Sequence, residues 1–407
     1  MIILFKRIIF KLLDSFVNKN NSPILQVDNA NNNNKPILWC FCSTIGELNA
    51  CKTLISHYES KYQLVLFSDR KVYVDSYLKL FPNAIVVTLT GRQNEIKPII
   101  KQFPPKNVLV CEIPLRLHDA PCRLSFELLF QAKKAGASLF LVNGWLYHYK
   151  PSCRQDAIER KLFDKDYVNL FDIITVQTQA IKHEIENLTG IKSNIHVTGN
   201  MKFDALSDHS FVIKDDISAQ LIKLYQQTDS TIFVAGCVSQ FSEYDLVIDA
   251  YLQAKKQNDE LKLVFVPRHP ENDKHLQYIK SRFKAETFSV NFKSSIADLP
   301  DALPDVLVID TFGELKSFYS ISTICYVGKN HNILEPLTFK KPVVVLNNWE
   351  QSYPSYPVYK AVMDLSLITE ITSSNELSHE LLDCNNIIKN LSMLDNLCGA
   401  TSRNKLF

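Results

Sequence analysis

Short all-apolar runs alternate with helical stretches along most of the chain after residue 36. Such runs are typical of strands buried on both faces, and the alternation predicts βαβ units on a parallel sheet. A first set of strands is predicted at 37–42, 63–68, 84–89, 107–111, 138–143, 172–177 and 194–198. A second set is predicted at 231–235, 261–266, 306–309, 323–327 and 342–346, with a weaker strand at 286–292. We therefore expect an α/β protein with two Rossmann-like domains that face a central cleft.

The chain has 407 residues, which is long for a single hydrophobic core and favours two domains. The first domain is predicted at 36–204 and the second at 231–373. The second domain is the one in which we expect a nucleotide-binding site, for the reasons given below. Residues 205–230 are polar and helical, as expected of an interdomain connection. The last part, 374–407, is predicted as a helix and tail that crosses back to brace the first domain.

The first 18 residues form an apolar stretch that carries the cations Lys6, Arg7 and Lys11. It is shorter than the ~20 apolar residues that a membrane span needs. Two interpretations stay open, a helix that lies in the membrane interface, which we favour, and a helix that packs on the first domain. Residues 19–35 are rich in asparagine and predict a flexible linker.

Composition excludes some classes of function. The formal net charge is only +2, so no overall field indicates nucleic acid as a partner. The ten cysteines include no C-x-x-C pair, and we interpret them as core thiols of a reduced compartment. The spacing needed for a zinc site is missing, so we expect neither a metal nor another cofactor.

Two neighbouring strands of the second domain end in polar loops, at Asp310 and at Gly328. In an open parallel sheet such loops meet at the carboxyl edge, where ligands bind. Thr311 and Glu314 are spaced as a capping box, and free amides at a helix start attract phosphate. The sequence therefore predicts a nucleotide site at this edge.

Each remaining candidate residue has a structural alternative. Glu47 is either the capping-box partner of Thr44 or a carboxylate that acts as a general base. Arg268 is either a phosphate ligand or a surface cation. Asn332 is by default an N-cap, with Glu335 as its partner or as an acceptor for a ribose diol.

Two further candidates lie in loops that follow strands. His269 is either a catalytic side chain or a histidine satisfied within its loop. Lys202 is predicted to face either an anionic substrate or water.

Several motifs occur together in a fixed order along the chain. They are Gly46-Glu47, GNMKFD at 199–204, AGC at 235–237 followed by Glu243, PRHPE at 267–271, DTFGEL at 310–315 and HNILEP at 331–336. Together they resemble the family of 3-deoxy-D-manno-octulosonic acid (Kdo) transferases over about residues 37–345. The resemblance implies the GT-B fold, a CMP-Kdo donor and a lipid A precursor as acceptor. It also implies inverting, metal-independent transfer at the cytoplasmic face of the bacterial inner membrane, in lipopolysaccharide biosynthesis.

The resemblance also implies roles for individual residues. Glu47 resembles the general base of the family. The expected donor-nucleotide contacts are Arg268, Thr311, Phe312, Gly313, Glu314, Asn332 and Glu335. The expected further substrate contacts are Lys202, Glu112, Glu243 and His269.

The chain departs from the family pattern at several of these motifs. Only Glu112-Ile113-Pro114 is left of an ETELWPN segment, Asn143-Gly144-Trp145 lacks an arginine, and 329–332 lacks two glycines. Two alternatives therefore stay open, a GT-B glycosyltransferase with another donor or acceptor, and a non-catalytic relative that lies on the membrane.

Overall fold

A computed structural model gives the three-dimensional structure of the chain. It describes residues 2–17, 26–28, 34–42, 45–68, 70–90, 93–112, 124–145, 154–190, 194–298, 302–351, 353, 355–383 and 391–407. The chain divides into two compact units, of which unit 1 comprises Met1–Lys202 with Gly399–Phe407 and unit 2 comprises Phe203–Cys398.

Helices and strands alternate within both units. The strands are β1 Gln26–Asp28, β2 Ile37–Phe41, β3 Gln63–Ser68, β4 Ile85–Thr88, β5 Pro105–Cys111, β6 Ser138–Gly144, β7 Ile173–Val176, β8 Ile195–Val197, β9 Thr231–Val238, β10 Leu261–Pro267, β11 Val290–Phe292, β12 Val306–Val308, β13 Ile324–Val327, β14 Val343–Leu346 and β15 Thr369–Ile371. The helices are α1 Ile2–Val17, α2 Ile45–Glu59, α3 Val74–Leu80, α4 Gln93–Gln102, α5 Phe126–Lys134, α6 Arg154–Leu170, α7 Gln179–Thr189, α8 Asp216–Gln226, α9 Phe241–Lys255, α10 Asp273–Arg282, α11 Leu315–Ile321, α12 Leu334–Thr338, α13 Tyr356–Asp364, α14 Ser374–Leu382, α15 Leu391–Leu397 and α16 Ala400–Arg403.

Unit 1 is built on an eight-stranded sheet in the order β1-β4-β3-β2-β5-β6-β7-β8. All neighbouring pairs are parallel except β1 with β4. The central strands are buried on both faces, because helices cover both sides of the sheet. The carboxyl ends of the parallel strands therefore lie at one edge of this unit.

Unit 2 is built on a seven-stranded parallel sheet in the order β11-β12-β10-β9-β13-β14-β15. Apolar clusters pack on both faces of this sheet. The loops after β9, β10, β12 and β13 come from four adjacent strands, so they meet at the carboxyl edge.

Every strand that the apolar runs predict is present, with bounds at most four residues from the predicted ones. Two strands of three residues, β1 and β15, were not predicted. β1 lies inside the segment 19–35, so the prediction of a linker is wrong for residues 26–28, which pair with β4. The rest of that segment up to residue 33 lies outside the described residues.

The segment 205–230 contains part of the core of unit 2. It includes α8, whose side chains Leu221, Ile222 and Tyr225 are buried. The prediction of a polar interdomain connection is therefore wrong for this helix, since its apolar face is part of the unit.

The end of the chain folds onto unit 1. The Nε of Arg403 donates to the carbonyl of Thr198 at 2.7 Å, and the ring of Phe407 stacks on Tyr58 with 4.3 Å between centroids. Residues 399–407 thus brace unit 1, whereas α14 and α15 belong to unit 2.

The first helix packs on unit 1 through its charged side. Phe10 is buried and meets Phe163 of α6 edge to face, with 5.8 Å between centroids. Lys6 pairs with Asp166 of α6 at 2.8 Å. The opposite side carries large exposed apolar side chains, which are Ile2, Leu4, Phe5, Ile8 and Leu12. In the part of the chain described above, no helix is both long and apolar enough to cross a membrane.

Candidate functional site

The ends of β9 and β13 approach each other closely at the carboxyl edge of unit 2. The amide of Gly328 donates to the carbonyl of Gly236 at 2.8 Å. A Cβ on Gly328 would overlap the backbone of Cys237, and one on Gly236 would overlap the hydroxyl of Tyr319. Both glycines are therefore required for this contact, and Cys237 itself adopts a φ of 57°, which is unusual for a non-glycine residue.

The end of β10 places Arg268 beside this contact. Its amide donates to the carbonyl of Val238 at 2.8 Å, and its side chain is exposed. The neighbouring His269 is also exposed, and its Nδ1 lies 3.2 Å from the Glu271 carboxylate. His269 is therefore engaged within its own loop, as one of the two interpretations expects.

The loop after β13 places three polar side chains near Arg268. Burial raises the pKa of Glu335, while a hydrogen bond from Asn332 at 3.1 Å and the charges of Lys316 and Arg268 lower it. Burial, with the charges of Arg268 and His269, lowers the pKa of His331 to about 4. The Oδ1 of Asn332 accepts from the amide of Leu334 at 3.2 Å, but the N-cap of α12 is Ile333, so the prediction of Asn332 as the N-cap is wrong.

Cys237 faces the same group of charges. Burial raises the pKa of its thiol to about 12, and Glu335 adds to this effect while Arg268 opposes it. The positive charge of Arg268 thus affects the pKa values of Cys237, His331 and Glu335, so these side chains lie near one another at this edge. The sequence did not single out His331 or Cys237 as site residues, although both follow predicted strands directly.

The turn after β12 has a different hydrogen-bond pattern from the one predicted. The hydroxyl of Thr311 donates to the carboxylate of Glu314, and α11 begins at Leu315 without a side-chain cap. The predicted capping box is therefore wrong here, because Glu314 is turned into the protein and is 1% exposed. Phe312 is 60% exposed, and Gly313 has a φ of 84° that allows the sharp turn.

Glu243 connects two loops of this edge. Its carboxylate is buried and accepts from the Tyr326 hydroxyl at 2.7 Å, from the Lys329 amide at 2.8 Å and from the Ser239 amide at 3.2 Å. These contacts hold the loops after β9 and β13 in place. A direct contact between Glu243 and a substrate, which the sequence predicts, stays a prediction.

A second group of polar residues lies at the carboxyl edge of unit 1. Glu47 is in the first turn of α2, directly after β2, and is half-buried. One turn further along the helix, a hydrogen bond with Cys111 lowers the pKa of the Cys51 thiol, but burial and nearby negative charges, including that of Glu47, together outweigh it and raise this pKa above its usual value. Thr44, its predicted capping partner, lies outside the described residues.

Glu112 and Lys202 form a largely buried ion pair at the same edge. Their Oε1 and Nζ atoms lie 2.5 Å apart, with side-chain exposures of 3% and 21%. Burial raises the pKa of Glu112, against the effect of Lys202. The second carboxylate oxygen, Oε2, is buried and has no hydrogen-bond partner among the described residues. Glu112 also has a φ of 53°, a strained value of the kind that clusters at functional sites.

Three amide side chains complete the edge of unit 1. Asn143 donates to the Oδ1 of Asn200 at 3.2 Å and accepts from the amide of Met201 at 2.9 Å. Asn200 donates in turn to Gln177 at 3.0 Å. The sequence did not predict this chain of amides, since each residue comes from a different strand end. The described residues contain no group of three or more metal-type ligands.

Comparison with known proteins adds to this geometry. A family model described as 3-Deoxy-D-manno-octulosonic-acid transferase (kdotransferase) matches residues 123–205. A 3-deoxy-D-manno-octulosonic acid transferase of Chlamydophila psittaci is 26% identical over 325 residues, which cover 76% of this chain and 69% of the relative. The Aquifex aeolicus transferase of the same name is 25% identical over 332 residues, which cover 77% and 76%. The chain is therefore similar to Kdo transferases over about three quarters of its length.

Solved structures confirm the predicted GT-B fold. A UDP-GlcNAc 2-epimerase from Neisseria meningitidis, solved with UDP-GlcNAc, aligns with a TM-score of 0.59 at 15% identity, over 90% of this chain and 98% of that one. A putative UDP-N-acetylglucosamine 2-epimerase from Listeria monocytogenes aligns with a TM-score of 0.60 at 14% identity, over 91% and 94%. This Kdo transferase relative is therefore a glycosyltransferase with two α/β domains.

Proposed function

We propose that this glycosyltransferase moves Kdo from CMP-Kdo to a lipid A precursor in lipopolysaccharide core biosynthesis. The observation that carries the proposal is the convergence of Arg268, His331 and Glu335 at the carboxyl edge of unit 2 in a chain similar to Kdo transferases. A cation beside carboxylate and amide groups suits a nucleoside monophosphate, which presents both an anion and a ribose diol.

In the proposed donor site, Arg268 contacts the phosphate of CMP with its planar guanidinium. Glu335, oriented by its hydrogen bond from Asn332, accepts from the ribose hydroxyls. The exposed turn Thr311–Gly313 supplies backbone amides to the phosphate. The second substrate contact lies in unit 1, where Lys202 with Glu112 faces charged groups of the substrates.

In the proposed reaction, the acceptor hydroxyl oxygen attacks the anomeric carbon of Kdo. The bond from that carbon to the phosphate oxygen breaks, and CMP leaves with the bonding electrons. Glu47 takes the proton of the hydroxyl as general base. The transfer is inverting because a single displacement occurs on the face opposite the leaving CMP, and in this proposal Arg268 takes the place of a metal at the phosphate. The positive charge of Arg268 stabilises the departing phosphate.

We further propose that the protein acts at the cytoplasmic face of the bacterial inner membrane and attaches through α1. Leu4, Ile8 and Leu12 recur every fourth residue and so lie on one exposed face of this helix. This face supports a helix that lies in the interface plane, with its apolar side chains among the lipid tails.

A direct assay with CMP-Kdo and a lipid A precursor tests donor and acceptor together. We expect transfer by the full chain and loss of transfer in Glu47→Gln, with CMP affinity near that of the wild type. Glu335→Gln is expected to weaken CMP binding instead. Undiminished transfer by Glu47→Gln would remove Glu47 from the role of base.

Thermal-shift titration with CMP, UMP and UDP separates the alternatives. CMP alone is expected to raise the melting temperature appreciably, since only a ligand that binds the folded state stabilises it. A shift with UDP would indicate a different donor. No shift with any nucleotide would favour a non-catalytic relative.

A further inference from the structure

A buried cluster of charged and hydroxyl groups in unit 2 contacts the turn after β12. Glu314 closes this turn, and its carboxylate accepts from the hydroxyls of Thr311 and Ser218. Ser218 belongs to α8 and is fully buried. A carboxylate buried to this extent needs a compensating positive charge in addition to hydrogen bonds.

Lys293 supplies that charge from the end of β11. Its Nζ lies 3.2 Å from Glu314 Oε1 and also contacts Asp215, the N-cap of α8. The lysine side chain is only 5% exposed. Burial acts to lower the pKa of Lys293, but the contacts with Asp215 and Glu314 outweigh it, so this pKa lies above its usual value. The lysine is therefore a buried ammonium shared by two carboxylates.

The neighbouring residue Ser294 holds the other end of the same turn. Its amide donates to Asp310 Oδ1 at 2.8 Å, and its hydroxyl donates to Oδ2. The tip between these two contacts has little packing of its own, because Phe312 is exposed and no atom of the described residues lies within 4 Å of a Cβ placed on Gly313. The shape of the turn thus depends on polar contacts from residues 293 and 294.

We propose that Lys293 is a positioning residue for the donor nucleotide, acting through Glu314 on the turn Thr311–Gly313. The inference rests on the proposed function, in which this turn offers its amides to the CMP phosphate. The ammonium fixes the turn and also neutralises a carboxylate that would otherwise repel that phosphate. Lys293 lies outside every motif that the sequence singles out, and its ammonium contacts Glu314 and Asp215 instead of pointing to the exposed tip of the turn.

The test compares Lys293→Met with Lys262→Met in the full chain. Lys262 is also a largely buried lysine, paired with Asp305 at 2.9 Å, but it lies at the opposite end of the strands of the same sheet. We expect Lys293→Met to raise the Kd for CMP and the KM for CMP-Kdo roughly tenfold to a hundredfold, as displacement of binding groups does, while kcat changes less. Lys262→Met is expected to leave both constants unchanged even if it lowers the melting temperature.

A rescue separates positioning from general destabilisation. In the background of Lys293→Met, Glu314→Gln removes the uncompensated charge and keeps the acceptor oxygen, so CMP affinity is expected to recover at least partly. Wild-type affinity in Lys293→Met, or an equal loss of affinity in Lys262→Met, would overturn the proposal.

Hydrogen exchange tests the inference independently of the ligand. Amides of residues 310–314 are expected to exchange faster in Lys293→Met than in the wild type or Lys262→Met. If the wild type binds no CMP, the proposed donor site fails, whereas unchanged exchange at these amides overturns the positioning role of Lys293. The two failures are therefore distinguishable.

Discussion

The guanidinium of Arg7 donates two hydrogen bonds to the carboxylate of Glu127, from Nε to Oε2 at 2.7 Å and from Nη2 to Oε1 at 2.6 Å. Both side chains are largely buried, with exposures of 12% and 6%. Arg7 also lies over the ring of Phe130, 3.9 Å from its centroid. This bidentate, stacked contact joins α1 to α5, so the first helix is an integral part of unit 1.

Replacing Arg7 with Met is expected to destabilise unit 1 markedly. The change leaves Glu127 buried with Lys11 and Gln131 as its remaining partners, and removing one member of a buried pair costs ~3–5 kcal/mol. The matched control is Lys6→Met on the same helix, whose ion pair is more exposed and is expected to contribute less than ~1 kcal/mol.

The free energy of unfolding of unit 1 is measurable by urea denaturation in a Trp349→Phe background. The remaining tryptophans, Trp39 and Trp145, are both buried in unit 1, so their fluorescence reports on that unit. Equal losses in Arg7→Met and Lys6→Met would contradict the special role of the bidentate pair.

Binding to lipid vesicles is expected to depend on the apolar face of α1 and only weakly on salt. Lys6 and Arg7 form ion pairs within the protein, so their charges are largely neutralised and attract anionic headgroups only weakly. The triple variant Leu4→Ser, Ile8→Ser, Leu12→Ser is expected to lose most co-sedimentation with both neutral and anionic vesicles.

A control for that experiment removes exposed apolar side chains elsewhere. Val72 and Val212 are 75% and 79% exposed, and their replacement by Ser is expected to leave vesicle binding intact. Binding that disappears in moderate salt would instead indicate an electrostatic attachment.

Gly328→Ala is expected to disrupt the carboxyl edge of unit 2. Its Cβ would overlap the carbonyl of Cys237, so the ends of β9 and β13 would have to separate. We expect a loss of stability of ~1–3 kcal/mol, as for overpacking, together with weaker CMP binding.

The matched control for that substitution is Gly190→Ala. Gly190 has a φ of 75° and nothing within 4 Å of a built Cβ, so only backbone strain of ~1 kcal/mol is expected and CMP affinity is retained. Unchanged CMP affinity in Gly328→Ala would show that the packing of this edge does not matter for the donor.

The sequence predicted the sheets well because their strands are buried on both faces and therefore appear as unbroken apolar runs. It missed β1 and β15, which contain only one apolar residue each and so give no apolar run. α8 was misassigned because its buried apolar side chains, Leu221, Ile222 and Tyr225, are few within a segment that is polar as a whole.

Local spacing was a poor guide to individual contacts. Thr311 and Glu314 have the spacing of a capping box, yet the carboxylate turns inward to Lys293, which lies 21 positions earlier in the chain. No local pattern reveals a partner that the sheet order brings into contact. The same holds for Asn143, Asn200 and Gln177, which meet only because their strands end side by side.

The lowered pKa of His331 leads us to expect that the protein is less stable at mildly acidic pH. Its pKa is lowered from 6.5 to about 4 in the folded protein, first by burial and then by the charges of Arg268 and His269. The unfolded chain therefore binds a proton before the folded protein does. Protonation of His331 thus does not affect the free energy of unfolding above pH 6.5. As the pH falls from 6.5 toward 4, the free energy of unfolding decreases by at most ~3 kcal/mol.

Urea denaturation between pH 4 and pH 7 checks this window in unit 2. His331→Asn is expected to flatten the dependence of unfolding free energy on pH between 6.5 and 4, since no imidazole remains to titrate. Arg268→Gln removes one charge but not the burial, so it is expected to narrow the window without abolishing it. An unchanged slope in His331→Asn would show that another group titrates there, and that the pKa of His331 does not differ between the folded and unfolded states.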